Sequence, residues 1–294
     1  MPDRELDRPT TRVSPRRRAR AWRWIGLVLA LLVALPFAAS VAYRWAPPPA
    51  SMLMAIRWAQ GHAIDYRWVP LEHISPHLAR AVLTAEDARF CEHRGIDWET
   101  LDRLMNEPGG PSRGGSTIAM QTAKNLFLWP SRSYVRKAAE LPLAAWIDLV
   151  WPKPRVIEVY LNIAEWGPGI FGAEAAAQRH FGKPAADITP SEAALLAAAL
   201  PNPHERNVAK PGPGLRRLAA HIARRVPATT SHLGCLEPDV ISLSHLPRGH
   251  PHPGPPPRGG REQKGAPSLP SPLILSLSKE GGGAGGGVLA RMPT

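Results

Sequence analysis

The chain has 294 residues, with 36 Lys and Arg against 24 Asp and Glu, a formal net charge of +12. That length suits one sizeable domain with appendages or two small ones. Two cysteines are too few for the disulfide framework of a small secreted fold, and with nothing in the sequence to bring them together, Cys91 and Cys235 read as incidental.

Much of the positive excess sits at the start. Arg12, Arg16, Arg17, Arg18, Arg20 and Arg23 crowd the first two dozen residues, an arm that in a soluble protein would suit nucleic acid. The stretch that follows argues otherwise. Residues 25–43, IGLVLALLVALPFAASVAY, carry no charge over 19 positions, long enough to cross the hydrocarbon core as a helix. The arginines then act as topology signals that keep the N-terminus cytoplasmic, with Trp22, Trp24, Tyr43 and Trp45 placed as interfacial aromatics. Small residues Ala38, Ala39 and Ser40 could frame a cleavage site, but the apolar stretch is long for a cleaved signal. A basic cytoplasmic arm over 1–23 and a transmembrane signal-anchor over 24–45 are therefore expected, with the rest of the chain outside the cytoplasm.

Pro47, Pro48 and Pro49 read as a stiff spacer that stands the next domain off the bilayer. Helical patterning begins near Ser75 and runs to about Leu200. Val156, Val159, Tyr160 and Ile163 follow i, i+3, i+4, i+7 spacing. Thr189, Pro190 and Glu192 combine an N-cap, a first-turn proline and a capping-box acid. No alternating apolar and polar run competes, so the main domain, over 46–232, is expected to be mainly α-helical. From 233 to 294 the composition turns to proline and glycine with few apolar residues, the signature of disorder.

The stretch AEDARFCEHRG, residues 85–95, is informative as geometry. On a continuous helix Glu86, Phe90 and His93 would share one face, and Gly95 would suit the helix end. A carboxylate beside an aromatic ring in such a place is desolvated, which raises its pKa toward acid–base work. An ordinary solvated Glu-Asp pair with a core histidine would look the same. In RGGSTIAMQTAKNLFL, residues 113–128, a Gly114-Gly115 turn precedes Ser116 and Thr117 as cap candidates. Backbone amides at that helix start, with Lys124 two turns on, suit an anion; the Gly-Lys-Ser/Thr of a Walker motif is missing. In RSYVRKAAELPLAAW, Arg136 and Lys137 lie at ion-pair spacing from Glu140, and Pro142 is expected to break or kink that helix. Lys153, Arg155 and Glu158 add mixed charge at the next helix start.

In order, EDARFCEHRG, GGSTIAMQ, RKAAE, KPRVIEVYLN and FGAEAAAQRHFGKP resemble five motifs of the peptidoglycan glycosyltransferases. The single anchor, with no penicillin-binding domain after the helical region, narrows this to the monofunctional biosynthetic transglycosylases of glycosyltransferase family 51. The resemblance covers roughly 57–220. It implies a lysozyme-like, mainly α domain behind one N-terminal transmembrane helix, in the periplasm on the outer face of the bacterial inner membrane. There it would polymerise lipid II, with the growing glycan as donor leaving as undecaprenyl pyrophosphate.

The motif match implies that Glu86 is the general base toward the acceptor 4-hydroxyl, and that Glu140 assists the pyrophosphate directly or through a divalent cation, Mg or Mn, with no cofactor obligatory. Lys124, Arg136, Lys137 and Lys153 would hold phosphates. Ser116, Thr117, Gln121 and Asn125 would shape the donor site, Asp87, Phe90 and His93 would support Glu86, and Glu158 joins the substrate-binding set. Implied partners are lipid II, the growing glycan, inner-membrane lipid and cell-division or elongation proteins, with nucleic acid excluded. Trp58 and Trp68 are candidates to dip into the bilayer.

Three departures stand out. Met120 occupies a place where the family usually has the first of two glutamines. The loop around NEPGGPSRGG is short, and Pro152 and Pro154 flank Lys153. Two rival readings remain: a glycan-cleaving enzyme of the same fold, which would not need the cations around Glu140, and an inactive membrane-anchored scaffold.

Overall fold

The computed structural model describes residues 15–107, 114–131 and 133–236. Residues 1–14 of the expected arm, 108–113 of the loop read as short, and 237–294 of the expected tail lie outside the described residues. Helix α1 (Pro15–Tyr43) begins inside the arm, and its segment from Trp22 to Tyr43 is apolar and long enough to cross a membrane, with almost none of it buried.

The end of α1 is gripped by two later elements, α6 (Tyr134–Val150) and α7 (Lys153–Ile163). A helix leaves its last four carbonyls without intrahelical donors. Those of Val41 and Ala42 accept from the backbone of Arg44 and Trp45. The Ser40 carbonyl accepts from Trp151 Nε1 at 2.6 Å, and the Tyr43 carbonyl from the Arg155 guanidinium at 2.8 and 2.9 Å. Arg155 also donates to the Ala46 carbonyl, Trp146 Nε1 to Ser40 Oγ, and Arg44 to the Val150 carbonyl. The proline run does not hold the domain away from the helix: Pro48 is buried and accepts from the Tyr66 hydroxyl at 2.8 Å. Trp58 is exposed, whereas the Trp68 ring lies under Arg155 at 5.1 Å, so only the first of the two tryptophans is free to meet lipid.

Ten α-helices lie among the described residues, as the mainly α expectation requires. Helix α2 (Met52–Ala59) leads into a three-stranded sheet in the order β1 (Asp65–Tyr66), β3 (Ile170–Phe171), β2 (Glu165–Gly167). The strands are too short for an alternating pattern to register in sequence. At the centre is α7, where Val156, Ile157 and Val159 to Ile163 are all buried, the mark of a helix with no solvent face. Asn162 fits there because its amide pairs with both backbone groups of Val69. Helices α5 (Ile118–Phe127) and α8 (Ala173–Phe181) pack against it together with α6, while α3 (Pro76–Glu86) and α9 (Pro190–Ala199) pack on each other. The capping box at Thr189 and Glu192 forms as read. Helix α10 (Pro213–Thr230) packs on α9 and α3.

Three expectations are corrected. Helix α3 stops at Glu86, so Glu86, Phe90 and His93 do not share a helical face; the chain turns away at Asp87, whose carboxylate is claimed by other groups. Helix α6 runs through Pro142 to Val150, since tertiary packing outweighs one lost hydrogen bond. Cys91 and Cys235 form a disulfide across a separation of 144 residues, with Cα atoms 5.6 Å apart; no local pattern could announce that pairing. Past α10, Leu233 and Leu236 are buried.

Gly95 holds the turn after α3 against α6. It adopts φ +74°, and a Cβ there would meet the Ala144 carbonyl oxygen at 2.6 Å, a backbone atom that cannot rotate away. Replacing Gly95 with Ala should lower the unfolding free energy by about 1–3 kcal/mol for the strained backbone alone, with the clash adding to it. Thermal unfolding of the detergent-solubilised protein checks this; a melting temperature equal to wild type would contradict the close approach.

Candidate active site

Glu86 ends α3 and faces a cavity of about 310 Å³ that Asp87, Ser116, Thr117, Arg103 and Arg225 also line. Gln121 of α5 donates from Nε2 to Glu86 Oε2 at 2.8 Å, and its Oε1 accepts from the Tyr160 hydroxyl at 3.1 Å. Burial raises the Glu86 pKa; the Gln121 hydrogen bond and Lys124 pull it down, Asp87 pushes it up and Arg206 pulls it down. The net direction is up, because an amide and cations at a distance replace less hydration than burial removes.

Asp87 fixes this arrangement. Its Oδ2 accepts from the Ile118 backbone N–H at 2.9 Å, and its Oδ1 lies 2.9 Å from His93 Nε2. The start of α5 thereby gains a buried carboxylate acceptor at its positive end, alongside the Thr117 cap that accepts from Met120 N. Thr117 also donates to the Gly95 carbonyl at 2.5 Å, closing the turn onto the same helix start. Phe90, fully buried, meets the His93 ring edge to face. His93 and Phe90 thus support Glu86 through Asp87 and packing, not by sharing its face. Met120, at the place of the usual first glutamine, points into the core and is 1% exposed, which leaves Gln121 alone to hold Glu86.

The second acid sits among cations. Glu140 is 2% exposed; it pairs with Arg136 and with Lys137 at 3.0 Å. Lys137 Nζ also donates to Ser116 Oγ at 2.8 Å, joining α6 to the residues before α5. Burial, then Arg136 and Lys124, bring the Lys137 pKa down to about 8. The Lys124 pKa is also lowered, first by burial and then by Arg136, while Glu86 raises it. Lys124 therefore lies within electrostatic reach of both acid sites. With Gln121 and Asn125 it lines a second cavity of about 420 Å³.

The structure brings together Glu86, Asp87, Ser116, Thr117, Gln121, Lys124, Asn125, Arg136, Lys137 and Glu140, but it spends two expected residues elsewhere. Lys153 pairs with Asp148 at 2.7 Å, donates to the His93 carbonyl at 2.7 Å and lies 4.6 Å from the Phe90 ring centre. It buttresses the Glu86 turn. Glu158 pairs with Arg155 beneath the end of α1. Conversely, Tyr160 was legible only as an apolar helix position, and no sequence signal marks Glu165. Its carboxylate joins Arg57 at 3.0 Å and His204 at 2.9 Å along the wall of the larger cavity. Among the described residues no three His, Cys, Asp or Glu side chains converge as a metal site.

Residues 54–226 match the family model described as Transglycosylase. A biosynthetic peptidoglycan transglycosylase of Rhodospirillum centenum is 59% identical over 210 residues, covering 70% of this chain and 91% of its own. One from Agrobacterium fabrum is 50% identical over 224 residues, 74% of this chain and 98% of its own. One from Caulobacter vibrioides is 53% identical over 191 residues, covering 63% and 83% respectively.

Removing the Asp87 carboxylate would strand the Ile118 N–H and the His93 ring without their buried acceptor. Asp87→Ala should therefore destabilise the protein by about 1–3 kcal/mol for each group left unsatisfied, read as a lower midpoint in urea. A midpoint unchanged from wild type would mean that water replaces the carboxylate and that Asp87 does not fix α5.

Proposed function

The chain belongs to the transglycosylase family, and from that premise we propose how its own residues carry the reaction. The enzyme is a peptidoglycan glycosyltransferase that polymerises glycan strands in cell wall synthesis, with lipid II and the growing glycan as substrates.

Glu86 is the general base. It takes the proton of the acceptor 4-hydroxyl as that oxygen attacks the donor's anomeric carbon and the bond from that carbon to the lipid pyrophosphate breaks. Attack opposite the leaving group inverts the anomeric centre. The single observation that carries the assignment is the setting of this carboxylate: buried, raised in pKa, open to a cavity, and hydrogen-bonded by Gln121 rather than paired with a guanidinium. A base of that kind holds a proton more tightly than an ordinary carboxylate, which suits it to take one from a hydroxyl.

Pyrophosphate leaves as an anion and needs positive charge more than a proton. Lys124, Lys137 and Arg136 supply it, and Glu140 holds the last two in place. The donor set does not fit a divalent cation held by the protein: Glu140 already has two cationic partners, and no second carboxylate or histidine joins it among the described residues. No step here is routed through a metal. The cationic set also favours synthesis over glycan cleavage, which releases no pyrophosphate.

We place the catalytic domain on the periplasmic side of the inner membrane, behind an uncleaved anchor. Three features support this: the arginines before an apolar span, a disulfide of the kind that persists in oxidising compartments, and the Trp151 and Trp146 bonds to Ser40, which cleavage near Ala39 would undo.

The test is polymerisation of labelled lipid II by the detergent-solubilised protein. Glu86→Gln should lower kcat by about 10²–10⁴-fold and Glu140→Gln by at least about tenfold, while wild-type rates in either variant would remove that residue's role. The groups facing Glu86 are Asp87 beside it, Lys124 from α5, Tyr160 from α7 and Arg206 beyond α9. Because the base must be ionised, kcat/KM should rise as pH climbs through the elevated Glu86 pKa. It should fall again above about 8 as Lys137 loses its proton. A profile with no acid limb in that range would contradict Glu86 as base.

A further inference from the structure

The Cys91–Cys235 disulfide has no part in the chemistry just described, yet it closes on the turn that follows Glu86. Cys91 lies four residues after Asp87 and two before His93, the pair whose 2.9 Å contact fixes that turn. Cys235 lies in the 3-10 turn Gly234–Leu236, beyond α10. That short segment is itself fastened: Leu233 and Leu236 are buried, and His232 Nδ1 sits 3.1 Å from Glu92 Oε1. The bond therefore ties a seated C-terminal clasp to a turn whose other apolar anchors are Phe90 and Ile96. Helix α10, which delivers the clasp, also brings Arg225 to the cavity that Glu86 faces.

We infer that the Cys91–Cys235 disulfide is a positioning device for the Glu86 turn, so that the redox state of these two cysteines sets the rate of polymerisation. The path runs two residues along the chain from Cys91 to His93, then through hydrogen bonds from His93 to Asp87, from Asp87 to the Ile118 N–H at the start of α5, and from Gln121 of α5 back to Glu86. With the bond intact, the turn is held at both ends. With the bond cut, the link between the turn and the segment after α10 depends on the exposed Glu92–His232 contact, which water and salt weaken, and the turn keeps its bonds to Lys153, Thr117 and Ile118. Both cysteines are half-buried, so a small dithiol can reach them. Its thiolate attacks one sulfur to give a mixed disulfide, and its second thiolate displaces the remaining protein thiolate. The two cysteines gain two electrons and two protons, and the dithiol becomes a cyclic disulfide.

The inference rests on Glu86 being the base, and the experiment separates the two. The full chain in detergent is treated with dithiothreitol and assayed for lipid II polymerisation across pH. Thiol alkylation and mass spectrometry count the free cysteines, and circular dichroism checks that the fold survives. The expected result is no alkylation before reduction, a folded reduced protein, and a kcat lowered at least fivefold. The acid limb of kcat/KM should also move to lower pH, because a loosened turn admits water to Glu86, with Asp87, Lys124, Tyr160 and Arg206 still facing it. Cys91→Ser/Cys235→Ser should match the reduced wild type and ignore dithiothreitol.

Four outcomes would overturn the inference: alkylation of both cysteines without reductant; a reduced protein with unchanged kcat and acid limb; a lower melting temperature with unchanged kinetics, which describes a staple only; or complete unfolding on reduction, which would make the bond a support of the whole fold. Glu86→Gln serves as the internal reference. If that variant polymerises at the wild-type rate, the base assignment falls on its own account.

Discussion

The site depends on one carboxylate that does no chemistry. Asp87 uses both oxygens, one for the first amide of α5 and one for His93, and so joins the turn after α3 to the helix that carries Gln121, Lys124 and Asn125. Without that junction Glu86 would end a helix facing solvent, where a carboxylate has an ordinary pKa and no directed partner. With it, Gln121 meets Glu86 and Tyr160 meets Gln121. The acid next in sequence to the base is thus a structural clamp, and its burial is tolerated because each oxygen is satisfied.

The two buried glutamates are treated oppositely by their surroundings. Glu86 receives a neutral amide and only distant cations, so burial dominates and its proton is held more tightly. Glu140 receives a guanidinium and an ammonium directly, the pairing that offsets the cost of burying a carboxylate. In the proposed reaction one exchanges a proton and the other holds positive charge in place. A glycosyl transfer that releases pyrophosphate needs both. Burial lowers the pKa of Lys124 and Lys137, and the nearby Arg136 lowers both further.

What the sequence disclosed divides along a physical line. Features made by residues within one turn were legible: the Thr189 capping box, the Thr117 cap, the apolar α7, the uncharged span and the Arg136, Lys137 and Glu140 cluster. Features that require chain reversal were not. The Asp87 bond to Ile118 spans 31 residues and the disulfide 144, and periodicity carries no information across such gaps. Lys153 and Glu158 show the same limit. Both stand in a motif rich in charge, but Lys153 is claimed by Asp148 and Glu158 by Arg155. Motif membership reports that a residue is needed, not what it touches.

The grip on α1 has a consequence for how the enzyme meets a lipid-linked substrate. A flexible tether would let the catalytic domain roam above the bilayer, and each encounter would carry the entropic burden of bringing the site down to the headgroup. Here Trp151 and Arg155 occupy the free carbonyls of the helix end and Trp146 reaches Ser40, so the domain's height and tilt follow the anchor. The contact runs through α6, the helix that also carries Arg136, Lys137 and Glu140. One element therefore faces the span with its later turns and the leaving pyrophosphate with its earlier ones. For a substrate whose own lipid fixes the depth of its pyrophosphate, a cationic cluster held at a set distance from a membrane-spanning helix replaces a three-dimensional search with a lateral one.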